Sequence, residues 1–207
     1  MAIKVANNQS LTAITALPSG VSAGAMTLLE TQTASSSATI SFTSGIDSTY
    51  DEYVFRFYDI HPATDGQYLT VNFRDGSTAY DATKTTTFFQ TFHSEDDATD
   101  MYGSNDPGVT YDTAEDLAQS TSAQRLCYAV GNDNDQSTAG TLHLFSPSST
   151  TFVKHFYSTF SVNWYTNANI TTYVAGYCNV VAAIDGVQFK MASGNIDAGV
   201  IKLYGIS

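Results

Sequence analysis

From Met26 onward, apolar and polar side chains alternate with a period of two, and short clusters of Ser, Thr, Gly, Asn and Asp interrupt the alternation. Successive side chains on a pleated backbone point to opposite faces, so this spacing is that of strands with one buried and one wet face. Within 38–43, Ile40 and Phe42 alternate with Thr39 and Ser41. In 53–57, Tyr53, Phe55 and Phe57 oppose Arg56, and in 69–74, Leu69, Val71 and Phe73 oppose Thr70, Asn72 and Arg74. Further strands are predicted over 86–93, 125–131, 140–145, 151–163, 170–181, 186–191 and 199–204, with turn chemistry at PATDGQ, GNDNDQSTAG and ASGNIDAG. The last two runs, Val187, Phe189 and Met191 followed by Ile201 and Leu203, read as an antiparallel hairpin with one buried face. No stretch carries the period of an amphipathic helix.

Many short antiparallel strands without helices leave a sandwich or a barrel, because each apolar sheet face needs another sheet, or itself, to cover it. Length and strand number favour an all-β, antiparallel, jelly-roll-like β-sandwich over residues 26–207. Residues 1–25 show neither period. They read as an extended N-terminal arm that orders only against another surface, with Val5, Leu11, Ile14 and Leu17 as its contact residues and Pro18 and Gly20 ending it. The stretch from about 94 to 122 loses the alternation, is acidic at SEDDATD and holds Pro107, so it is predicted as a long surface loop inserted in the sandwich.

Composition narrows the classes. The 207 residues are 43% hydrophobic and 13% aromatic, enough to offset chain entropy by burial, so one folded domain is expected rather than a disordered chain. No run reaches the roughly 18 apolar residues of a membrane span, and no basic stretch followed by an apolar one opens the chain; a soluble protein without an export signal is expected. The net charge of −12, with only 8 scattered Lys and Arg, argues against nucleic acid as a partner. Cys127 and Cys178 stand far apart with no CxxC spacing, which favours free buried thiols; a disulfide is the alternative if their strands are neighbours.

Candidate chemistry is sparse. His61, His93, His143 and His155 have no ligand-type spacing among them, and no nucleophile-elbow, zincin, P-loop or dinucleotide motif is present. Asp51, Glu52, Asp96, Asp97, Glu115 and Asp116 lie in polar, loop-like stretches that read as solvated charge, so no enzyme is expected. The run Asn132, Asp133, Asn134, Asp135 supplies hard oxygen donors, and Asp133 and Asp135 would be ligands for Ca²⁺. It lacks the closing Glu of a helix-flanked calcium loop, and an Asx-rich hairpin turn has the same composition, so the turn is the preferred reading and no cofactor is expected. Most aromatics must fill the space between sheets. Trp164 and Tyr165, beside Asn163, Asn167 and Asn169, form the best candidate for an exposed aromatic and amide patch. In it Trp164, Tyr165 and Asn167 would be the glycan contacts.

Three stretches, LLETQTASSSATISFTSGIDSTYDEYVFRFYDIHPATDG at 28–66, YAVGNDNDQSTAGTLHLFSPSSTTFVKHFYS at 128–158 and VVAAIDGVQFKMASGNIDAGVIKLYGIS at 180–207, together with the opening MAIKVANNQSLTAITALPSG, resemble small structural proteins of tailed bacteriophages. The resemblance implies a virion protein assembled in the host cytoplasm. Its partners would be other capsid or tail proteins and further copies of itself, with a homotrimer preferred because virion sites are symmetric. It implies a capsid decoration or head-surface protein held through the arm. The alternative is a tail or fibre component that binds a host surface glycan. It carries no catalytic residue over to this chain.

Overall fold

The computed structural model describes residues 26–97 and 108–206, which fold entirely as strands and turns. The strands are β1 (Thr27–Thr33), β2 (Ile40–Phe42), β3 (Glu52–Pro62), β4 (Leu69–Arg74), β5 (Lys84–Ser94), β6 (Val109–Tyr111), β7 (Gln124–Arg125), β8 (Thr138–Phe145), β9 (Lys154–Trp164), β10 (Ala168–Cys178), β11 (Gly186–Met191) and β12 (Ile196–Ile206). They form two antiparallel sheets, one of eight strands in the order β1-β12-β3-β8-β9-β10-β5-β6 and one of four in the order β2-β11-β4-β7. The predicted β-sandwich is therefore the observed fold class, with unequal layers. The arm residues Val5, Leu11, Ile14 and Leu17 lie outside the described residues.

Alternation explains the packing. Phe55, Phe57, Leu142, Leu144, Phe156, Phe160, Ile201 and Leu203 on the large sheet bury against Ile40, Phe42, Val71, Phe73, Val187 and Phe189 on the small one. Phe189 sits at the middle, its ring centroid 4.9 Å from Phe57, 5.2 Å from Phe55 and 6.2 Å from Phe42, all edge to face. That geometry places the electropositive ring edges on electronegative faces and adds to burial of about 1.5–3 kcal/mol for each such side chain.

Three expectations change. The last two runs are not a hairpin: β11 pairs with β2 and β4 in the small sheet, while β12 pairs with β1 and β3 in the large one. Their apolar rows do face one core, but from opposite layers, and Ser193–Asn195 with Gly194 at φ 73° carries the chain across. The run 125–131 keeps only Gln124–Arg125 as strand. Leu126, Cys127 and Val130 are buried all the same, and Ala129 at φ 29° breaks the extended backbone between them. The 94–122 stretch is not loop throughout, since Val109–Tyr111 adds β6 to the edge of β5. Further on, the Leu117 and Ser120 amides and carbonyls bond the flank of β5 at Thr86 and Lys84.

The thiols of Cys127 and Cys178 are free and buried. Cys178 closes β10 opposite Lys84 on one side and Lys154 on the other. The sandwich has two unlike ends. One gathers the start of β1, the ends of β12 and β8, and the start of β9; the other gathers the ends of β1, β3, β5 and β9 and the start of β10.

Candidate functional site

The second of these ends is built by irregularities in otherwise regular strands. The β3–β8 register shifts between Phe57 and Ile60, and the β12–β3 register shifts twice between Ile196 and Val200. Such bulges place an extra residue on one strand and re-aim the side chains beyond it. Asp59 is held at φ 50° and Gly199 at φ 120°, and a Cβ on Gly199 would lie 2.7 Å from the Asp59 carbonyl oxygen. The bulges turn Asp59 and His61 to line a polar hollow of about 420 Å³ with Asn134, Asp135, Gln136 and Ser137.

Gln136 organises this end. It is buried, its Oε1 accepts from the Asp133 amide at 3.2 Å, and its Nε2 donates to the Trp164 carbonyl and to Asn167 Oδ1, both at 3.4 Å. The Asp133 carbonyl accepts from the Gln136 amide at 2.9 Å, which closes the turn expected of an Asx-rich run. His61 Nε2 lies 3.3 Å from the same carbonyl, so His61, with Nδ1 3.9 Å from Asp197, is spent on holding the loop. Asn132 is tied in turn to Asp65 through its amide at 3.2 Å.

Opposite the loop, the Asn167 amide donates to the Trp164 carbonyl at 2.9 Å, with Asn167 in the left-handed region at φ 61° that Asn tolerates. Trp164 is not the exposed ring expected. It is half-buried, edge-on to Phe92 at 5.4 Å, because it continues the inward-facing row Phe156, Phe160 and Val162 of β9. Tyr165 is the exposed one, 43% accessible, with its amide bonded to the Ala129 carbonyl and its ring lying over Gly66.

Asp133 is thus tied to Trp164 and Asn167 through one side chain, Gln136, that no sequence pattern singles out, while Asp135 and Tyr165 adjoin it along the chain without bonding it; the buried place of Gln136 inside a polar turn gives no periodic signal. The Asp133 and Asp135 carboxylates are both exposed. Among the described residues no three His, Cys, Asp or Glu side chains converge as metal ligands. What this end offers is a hollow rimmed by amides and carboxylates and, at the same end, an exposed phenol ring, both suited to hydrogen-bonded contact. The other end also carries exposed carboxylates, Asp47, Asp51 and Asp81, but there Phe152 and Val181 stand out beside them, 74% and 73% exposed, and β1 begins at that end, Thr27 pairing with Gly205. No protein-family model, curated protein or solved structure matches this chain.

Proposed function

We propose that this chain is a non-enzymatic structural protein of a tailed-bacteriophage virion. In this reading it is a jelly-roll-like capsid decoration or head-surface module anchored through residues 1–25, with Val5, Leu11, Ile14 and Leu17 as contacts. One observation carries the reading: at the end where the chain enters β1, the outermost strand of the large sheet, two apolar side chains, Phe152 and Val181, stand bare among the exposed carboxylates of Asp47, Asp51 and Asp81. A module fastened by an arm and by apolar contacts at the end beside it has this feature. A homotrimer on a symmetric shell site fits the same picture. The test is occupancy on purified particles: deletion of residues 1–25, and separately Phe152→Asp with Val181→Asp, should leave a folded chain that no longer attaches. Full occupancy in both cases would refute the reading.

A second reading is a tail or fibre component that contacts a host glycan through the far end, and the exposure of Tyr165 beside Asn167 and Gln136 favours it. Because Trp164 is packed on Phe92, Tyr165→Ala is the cleaner probe, and adsorption to host cells unchanged by it would remove this reading.

A further inference from the structure

The outer face of the eight-stranded sheet changes character halfway across. Over β1, β12 and β3 it carries charges, with Arg56 over the Tyr204 ring and Lys202 over the Tyr58 ring. Over β8, β9, β10, β5 and β6 the outward side chains include no Asp, Glu, Lys or Arg; they are Thr, Ser, Asn, Ala, Val, His, Phe and Tyr. In a chain of net charge −12 such a stretch, without Asp, Glu, Lys or Arg on its own strands, favours a neutral partner.

One row on this face runs His143, Tyr157, Ala175, Thr87 across four neighbouring strands. The first two rings stack, centroids 4.5 Å apart and planes 11° off parallel, and Phe145, two residues beyond His143 on the same strand, lies against Tyr157 at 5.7 Å. Stacked rings here repeat at about the spacing between strands, about 4.8 Å. Ala175 breaks the repeat. It leaves the place beside the free face of Tyr157 empty, one ring wide, before Thr87 closes the far side.

That vacancy is part of a hollow of about 370 Å³, bounded by Phe145, His155, Tyr157, Tyr177 and Thr87 with Ala175 as its floor. His155 and Tyr177 make one wall, edge to face at 5.9 Å. The Tyr157 and Tyr177 hydroxyls make no hydrogen bond among the described residues, so two phenol groups are available at the rim. Thr87 Oγ1 donates to the Ala175 carbonyl at 3.4 Å and keeps its lone pairs for an incoming donor.

We propose that the slot over Ala175 is a binding site for a neutral pyranose ring. A pyranose presents a C–H face that stacks on a phenol ring and hydroxyls around its edge that pair with phenol, imidazole and threonine groups. A shallow, uncharged, aromatic-walled hollow with a few polar groups at its rim offers both. A nucleobase would stack equally but brings phosphates to a face with no cation. The site lies apart from the Tyr165 end and borders the hollow under Phe152, with which it shares Phe145 and His155, so it is read on the free chain.

The test uses the full chain with ¹³C-labelled alanine methyls and aromatic rings, titrated with methyl glycosides of glucose, galactose, mannose and N-acetylglucosamine and with their neutral disaccharides. At least one should shift the Ala175 methyl and Tyr157 ring signals saturably, in the millimolar range or tighter. Ala175→Phe, which fills the slot at an exposed position, should abolish the response, and Tyr157→Leu should weaken it about tenfold. Tyr165→Ala should leave it intact. An Ala175 methyl that no sugar moves, or binding that survives Ala175→Phe in a chain with unchanged melting, overturns the proposal. So does a slot signal that follows protein concentration and is lost with Phe152→Ser, because a ring from a second copy would then be the occupant.

Discussion

Lys84 and Asn72 belong to different sheets, and the Lys84 Nζ, on a fully buried side chain, lies 2.7 Å from Asn72 Oδ1, with the Ala82 carbonyl accepting a second bond at 3.0 Å. This polar tie joins the layers. Among the described residues no carboxylate pairs with the ammonium, so its charge is carried by neutral acceptors, and burial pushes its pKa down to about 8.

A base whose folded pKa lies below its unfolded value holds fewer protons when folded, so its contribution to stability rises with pH between the two, here from about 8 to 10.5. Below that window the buried charge is a constant cost. The thiols of Cys127 and Cys178, pushed up to about 12 by burial, act in the opposite sense above 9.0, because the unfolded chain loses those protons first. The clean interval is therefore from about 8 to 9. Lys84→Met is expected to match or exceed the parent at neutral pH by on the order of 1 kcal/mol, with the gap narrowing across that interval. Urea midpoints at a series of pH values read it directly.

Phe189 touches three aromatic rings from both layers, and its loss leaves a hole that the sheets cannot close without losing register. Phe189→Ala should cost about 3–5 kcal/mol, seen as a lower denaturation midpoint at unchanged slope.

At Gly199 both constraints on a side chain apply: φ is +120°, and a Cβ would sit 2.7 Å from the Asp59 carbonyl oxygen and 2.8 Å from Ile60 Cα. Gly199→Ala should therefore lose about 2–4 kcal/mol and loosen the bulge that aims Asp59 and His61. Amide exchange at Ile60 and His61 faster than the global change explains would be the local sign of it.

Cys127 and Cys178 lie within the core and hold their protons. A thiol reagent at mild alkaline pH should find no reactive group in the native chain and both after denaturation, with the labelling rate tracking unfolding. Rapid labelling of either in the native state would show that its end of the sandwich opens.

The end that holds Gln136 and Tyr165 shows where reading by pattern stops. The turn at Asn132–Asp135 and the exposure of Tyr165 follow from local chemistry, Asx residues that favour turns and an aromatic beyond a strand end. Trp164 was misjudged because the predicted strand stops at 163; β9 runs one residue further, and the alternation of Phe156, Phe160 and Val162 turns Trp164 inward onto Phe92. Gln136 gave no signal because its partners, Trp164 and Asn167, come from the next hairpin.

By itself the sequence determined where most of the strands run, which face of each is buried, that no helix forms among the described residues, and that the two cysteines are free buried thiols. These follow from the strict two-residue period of a pleated chain, which writes the choice of face into every successive side chain. Only the tertiary structure decided which strand lies beside which: that β11 and β12 part company into opposite layers, that β5 acquires β6 from within the insertion, and that Ala175 stands next to Tyr157. Neighbours in a sheet are joined by backbone N–H and C=O groups, which are the same at nearly every residue, so alternation can assign an inside but not a partner.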